Sequence, residues 1–128
     1  MIQANELRIG NWLSIKKIYG GFAYYQIDSS DIPRIERHPE TAWLGIPLTP
    51  EILEKTGFKL ILSGEILGCY NKEDQDISFA FNDGGYWACW EDAGRESSIS
   101  TIGKRFRYVH QLQNLYFALT GTELDITL

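Results

Sequence analysis

Side chains able to do acid–base or nucleophilic chemistry are sparse in this 128-residue chain. There are two histidines, His38 and His110, two cysteines, Cys69 and Cys89, and seventeen carboxylates. His110 and Asn114 stand one helical turn apart and so share a helix face; with a cysteine they would make a nucleophile, base and orienting amide. Nothing in the spacing brings Cys69 or Cys89 to that face, so a small enzyme using His110 is the last of three functional readings. Neither cysteine lies in a C-x-x-C pair and two histidines do not make a zinc-ligand spacing, so no metal or cofactor is expected and both thiols read as small core hydrophobes. Asp74-x-Asp76 has the start of a calcium loop but lacks its third spaced ligand, central glycine and closing glutamate. No phosphate-binding glycine loop, dinucleotide fingerprint, H-E-x-x-H or G-x-S-x-G is present.

Two stretches offer binding rather than catalysis. Lys104-Arg105-Phe106-Arg107-Tyr108 interleaves cations with aromatics, the pattern by which single-strand binders hold phosphates and stack bases through Lys104, Arg105 and Arg107. The plain alternative packs both rings inward and leaves the cations to neighbouring acids. The second stretch is a hairpin: Ile77 to Phe81 and Tyr86 to Trp90 flank Asn82-Asp83-Gly84-Gly85, and Asp-Gly suits a two-residue type I′ turn. Its register sets Phe81 against Tyr86, Phe79 against Ala88 and Ile77 against Trp90 on an apolar face, with Ala80 against Trp87 and Ser78 against Cys89 on the other. Trp87, opposite a small residue, is expected to have room to receive a flat group, with Ser78, Ala80 and Glu91 around it. The competing reading covers this face with a helix.

The elements that must carry these residues are written in turn and cap signals. Strands are expected at Asn11 to Ile15 and Phe22 to Ile27 across Gly20-Gly21, at Phe58 to Leu62, Ile66 to Tyr70 and Arg105 to Tyr108, and, from its alternation, at Leu124 to Leu128. Residues 29 to 48, with Pro33, Pro39 and Pro47, read as an irregular excursion. Thr49-Pro50-Glu51 is a helix start and Gly57 a left-handed stop, giving a helix at about 50–56. A second helix, at about 109–119, carries Val109, Leu112, Tyr116 and Leu119 on one stripe, with His110, Gln111, Gln113 and Asn114 off it, and ends at Gly121. The expected fold is α+β: one twisted antiparallel sheet of about five to seven strands, in part barrel-like, with the two helices to one side, in a single domain 1–128.

Charge narrows the partners. Twelve basic and seventeen acidic residues leave a net charge of −5, and residues 71 to 96 hold seven acids against Lys72 and Arg95. That argues against a duplex-DNA binder, which needs a basic face to release counterions from phosphates. No leader pattern opens the sequence and no apolar run reaches membrane-spanning length, so a cytoplasmic protein with no membrane partner is expected.

Three segments, ANELRIGNWL, IPLTPEILEKTGF and YVHQLQNLYFALTG, together resemble a family of small proteins encoded by prophages and mobile elements of gut anaerobes. The likeness runs through most of the chain in that order, with residues 59 to 100 more divergent and Pro50 where the family often carries an acid. It implies a cytoplasmic accessory protein of a mobile element and supplies no catalytic residues. Aromatic wealth without a catalytic constellation makes a non-catalytic protein-interaction module, with an unidentified protein or a second copy of itself as partner, the leading reading; single-stranded nucleic-acid binding stands second.

Overall fold

A computed structural model describes residues 2–37, 43–63, 68–72, 77–82, 85–91 and 99–128; the side chains of 60–63, 68–72, 77, 82, 87–91 and 99–103 lie outside that description. The expected α+β class is what the chain adopts, with eight strands and three α-helices among the described residues. The strands do not form the single sheet of five to seven expected from sequence: they divide into an antiparallel sheet of three and one of five. The chain correspondingly groups into two compact units, residues 1–48 with 108–128, and residues 49–107.

The first unit begins with a 3₁₀ turn, Ala4–Glu6, and a hairpin of β1 (Trp12–Lys16) and β2 (Phe22–Gln26). Helix α1 (Asp31–Arg37) and strand β3 (Trp43–Gly45) follow, and the sheet order is β2-β1-β3. Both α1 and β3 fall where an irregular excursion was expected. Pro33 misled because it is only the third residue of α1, where an N–H would have no intrahelical acceptor and proline costs nothing. Ahead of it Asp28 and Asp31 exchange bonds: the Asp28 N–H donates to Asp31 Oδ2 at 2.9 Å and the Asp31 N–H to the Asp28 carbonyl at 3.2 Å. Ile35 then seals a core of Ile2, Leu7, Leu13 and Ile27, with Ile32 and Trp43 against it.

Helix α3 (Val109–Thr120) completes this unit, ending on Gly121 at φ 72°, the left-handed stop the sequence announces. Val109, Leu112 and Tyr116 are buried as expected, but so are His110 and Gln113, which the stripe placed outside. Leu124 and Ile126 are buried with Asp125 and Thr127 exposed, so the alternation read in the last residues is real. Those residues form no strand, because no described strand pairs with them.

The second unit starts with α2 (Pro50–Lys55). The Thr49 hydroxyl accepts the Ile52 N–H at 3.3 Å, Pro50 opens the helix, and Gly57 at φ 96° closes it. Leu53 and Phe58 on either side of that stop are both buried. Strands β4 (Phe58–Ser63), β5 (Gly68–Lys72), β6 (Ile77–Asn82), β7 (Gly85–Glu91) and β8 (Ile99–Phe106) pair in sequence order. The β6–β7 register is the one read from the turn, from Ile77 opposite Trp90 to Asn82 opposite Gly85. Asp83 and Gly84 themselves, like Asp74 and Asp76, lie outside the described residues. The apolar face becomes core through an edge-on chain of rings: Phe58 to Phe79 at 5.1 Å and Phe79 to Phe106 at 5.8 Å, with Tyr86 stacked on Phe106.

One close approach in the first unit gives a test. A Cβ on Gly45 would stand 2.6 Å from Tyr108 Cδ1 and 2.7 Å from Cγ, near the root of that side chain, which cannot swing clear. Gly45→Ala should therefore cost about 1–3 kcal/mol in denaturant unfolding, and under about 1 kcal/mol when made in a Tyr108→Ala background. Equal costs in both backgrounds would show that the ring does not set the constraint.

Candidate functional site

The helix face expected to carry acid–base chemistry is occupied by structure. Strand β3 runs out at Gly45, opposite Leu13, so the next rung of the β1–β3 ladder, Trp12 against Ile46, has no strand to complete it. Helix α3 supplies both halves. Its Val109 N–H donates to the Ile46 carbonyl at 2.9 Å, and Gln113 Oε1 accepts the Trp12 N–H at 2.8 Å. Gln113 Nε2 donates in turn to the Gly10 carbonyl at 3.0 Å.

Asn114 makes the next turn of the same clamp. Its Nδ2 donates to the Glu6 carbonyl at 2.7 Å and its Oδ1 accepts from Asn11 Nδ2 at 2.9 Å and from Arg8 Nη1 at 3.3 Å. Arg8 also pairs with Glu123 and lies over the Phe117 ring, 4.0 Å from its centroid. Trp12 donates its indole N–H to the Ile126 carbonyl at 3.2 Å. Two of the three segments quoted for the family resemblance thus meet in one polar seam. Sequence reasoning missed this seam; its signal was an Arg8, Asn11, Gln113 and Asn114 set with no catalytic partner.

His110 sits beside the seam and is 1% exposed. Its ring lies parallel to Tyr108 with centroids 5.9 Å apart, and Nε2 is 3.4 Å from Glu6 Oε1. Neither ring nitrogen has a hydrogen-bond partner among the described residues. Burial pushes its pKa down against a smaller upward pull from Glu6, so the imidazole is neutral near pH 7. A sealed base cannot reach a substrate, and the amide of Asn114 that would orient it is already committed.

The sequence-derived binding residues fare differently from one another. Ser78 and Ala80 are both buried, and neither offers surface; the side chains of Trp87 and Glu91 lie outside the described residues. Lys104, Arg105 and Arg107 are exposed, but Phe106 between them is buried against Phe79 and Tyr86 and its ring is not offered to a base. No group of three or more metal-ligating side chains occurs among the described residues.

Among the described residues, the three-stranded sheet carries much of the exposed apolar surface. Ser14 of β1 stands opposite Tyr24 of β2 and Leu44 of β3, and Phe22 lies two residues from Tyr24, so Phe22, Tyr24 and Leu44 share a face. They are 55%, 54% and 47% exposed, and Ile18 and Tyr19 at the hairpin tip are almost fully so. The sequence names these residues as strand formers and gives no sign that their face stays open. No protein-family model, curated protein or solved structure matches the chain. No helix among the described residues is long and apolar enough to cross a membrane.

Two tests follow from the seam. Asn114→Ala removes the bonds to the exposed Glu6 carbonyl and the part-buried Asn11 amide and should cost about 0.5–1.5 kcal/mol in denaturant unfolding; no loss would show that water replaces both bonds. For His110, the pKa in the fold is lower than the ordinary 6.5, so the unfolded chain binds the proton more readily. Its contribution is complete above pH 6.5 and is lost as pH falls toward the depressed value. Wild-type stability should decline across that window and His110→Leu should flatten the decline; an unchanged slope would mean that another group titrates there.

Proposed function

We propose that this is a non-catalytic protein-interaction module of a prophage or mobile element, working in the cytoplasm and engaging its partner through the open face of the three-stranded sheet. The observation that carries the reading is the exposure of Phe22, Tyr24 and Leu44 on one face of the sheet, with Tyr24 and Leu44 on either side of Ser14. Aromatic side chains deliver large contact area for few rotatable bonds, and a sheet face holds them in fixed positions before a partner arrives. The burial of His110 and the commitment of Asn114 support this reading over a small enzyme that uses His110. The burial of Phe106 withdraws one of the two rings of the 104–108 stretch from any base, and the other, Tyr108, is engaged in stacking on His110.

Leu44→Lys tests the reading, because it places a charge on the face without touching the core. The wild-type chain used as bait in cells that express it should capture a partner that the variant loses, while stability changes by no more than about 0.5 kcal/mol. Equal capture by both would remove this face as the interaction surface.

A further inference from the structure

The outer strands of the two sheets are not equally protected. Strand β4 carries Lys59, β8 carries Lys104 and Arg105, and β3 is three residues long. Charge and shortness are the usual guards of an open sheet edge. Strand β2, Phe-Ala-Tyr-Tyr-Gln, has neither charge nor proline nor bulge, and its outer side pairs with no strand among the described residues.

The backbone of β2 is also directed outward at defined positions. Ladder bonds at the two ends of the hairpin run from the Ile27 N–H to the Asn11 carbonyl and from the Lys17 N–H to the Gly21 carbonyl, each 2.9 Å. Antiparallel ladders alternate, so between those ends Ala23 and Tyr25 bond to β1, whereas Phe22, Tyr24 and Gln26 turn their N–H and C=O groups to the free edge. Phe22 and Tyr24 are also the residues whose rings lie on the open face.

We propose that β2 is a self-pairing edge: two copies of this chain join antiparallel about a two-fold axis at Tyr24, fusing their three-stranded sheets into one of six. Tyr24 meets Tyr24 of the second copy and exchanges both backbone bonds with it, while Phe22 and Gln26 exchange bonds with Gln26 and Phe22 of the second copy. Every outward backbone group of the strand finds its complement in that register. The open face becomes continuous across the axis, with Phe22 and Tyr24 from both copies at its centre.

Charge selects a second copy over an unrelated strand. One end of β2 adjoins Lys16 and Lys17, and the other leads to exposed Asp28. Antiparallel doubling about Tyr24 sets Gly20 opposite Asp28 of the second copy, which brings the Lys17 loop toward that carboxylate at both ends. The Ser30 hydroxyl and N–H hold the Asp28 carboxyl below its ordinary pKa, so it keeps its charge through the physiological range. A parallel arrangement would instead place like charges together.

This proposal rests on the sheet of the first unit being an interaction surface, and it fails separately from that reading. Sedimentation velocity across rising concentration should show a monomer passing to a dimer below about 1 mM, and Tyr24→Lys should weaken the dimer at least about tenfold. Tyr24→Cys should form a symmetric disulfide under mild oxidation, since directly opposed residues lie within bonding range; Tyr19→Cys, at the exposed tip, should not. A wild-type chain monomeric throughout overturns the proposal, as does a dimer that ignores Tyr24→Lys or fails to cross-link through Tyr24→Cys. If the chain is monomeric while Leu44→Lys still abolishes capture, self-pairing falls and the interaction module stands.

Discussion

A backbone N–H or C=O removed from water must find a partner, and the three-stranded sheet is organised around where that demand is met and where it is left open. At the end of β1 the ladder loses β3 after Gly45, and α3 takes over with the Val109 N–H and the Gln113 amide. Gln113 and Asn114 then serve the Gly10 and Glu6 carbonyls, so residues 6–12 are held by side chains from beyond residue 108. The two ends of the chain consequently belong to one compact unit, with residues 49–107 inserted between them in sequence.

The same accounting decides what α3 does. Its polar face has the composition of a catalytic helix, yet each amide on it is spent on backbone that would otherwise be unpaired. His110 is sealed between Tyr108 and Glu6 as a neutral ring, a group whose cost falls on stability at low pH rather than on any reaction. With α3 occupied in this way, the face bearing Phe22, Tyr24 and Leu44 and the outward backbone of β2 remain open in the unit.

Much of the fold was legible wherever a local signal and a pattern coincided. Asn-Asp-Gly-Gly between two alternating runs set the β6–β7 register without error, because a two-residue turn leaves only one register that keeps the rings together. Thr49, Pro50 and Gly57 bounded α2, and Gly121 ended α3, because capping is a property of a few adjacent residues. Helix α1 is masked in the sequence by Pro33, which breaks a helix in its interior but is tolerated in the first turn, where it stands. The division into two sheets was not legible, since neither turn chemistry nor alternation says which strands will share a ladder. The candidate site escaped for the same reason: the seam joins residues about a hundred positions apart, and the openness of Phe22 and Tyr24 depends on what fails to cover them.

Amide hydrogen exchange, resolved by residue at a low and a high protein concentration, examines both halves of this picture at once. The Trp12 amide, held by Gln113 where the ladder has ended, should exchange as slowly as Ala23 and Tyr25 at either concentration. The Tyr24 amide should exchange rapidly in dilute solution and become protected on concentration. A Trp12 amide that exchanges like an exposed one, or a Tyr24 amide equally protected in dilute solution, would contradict it.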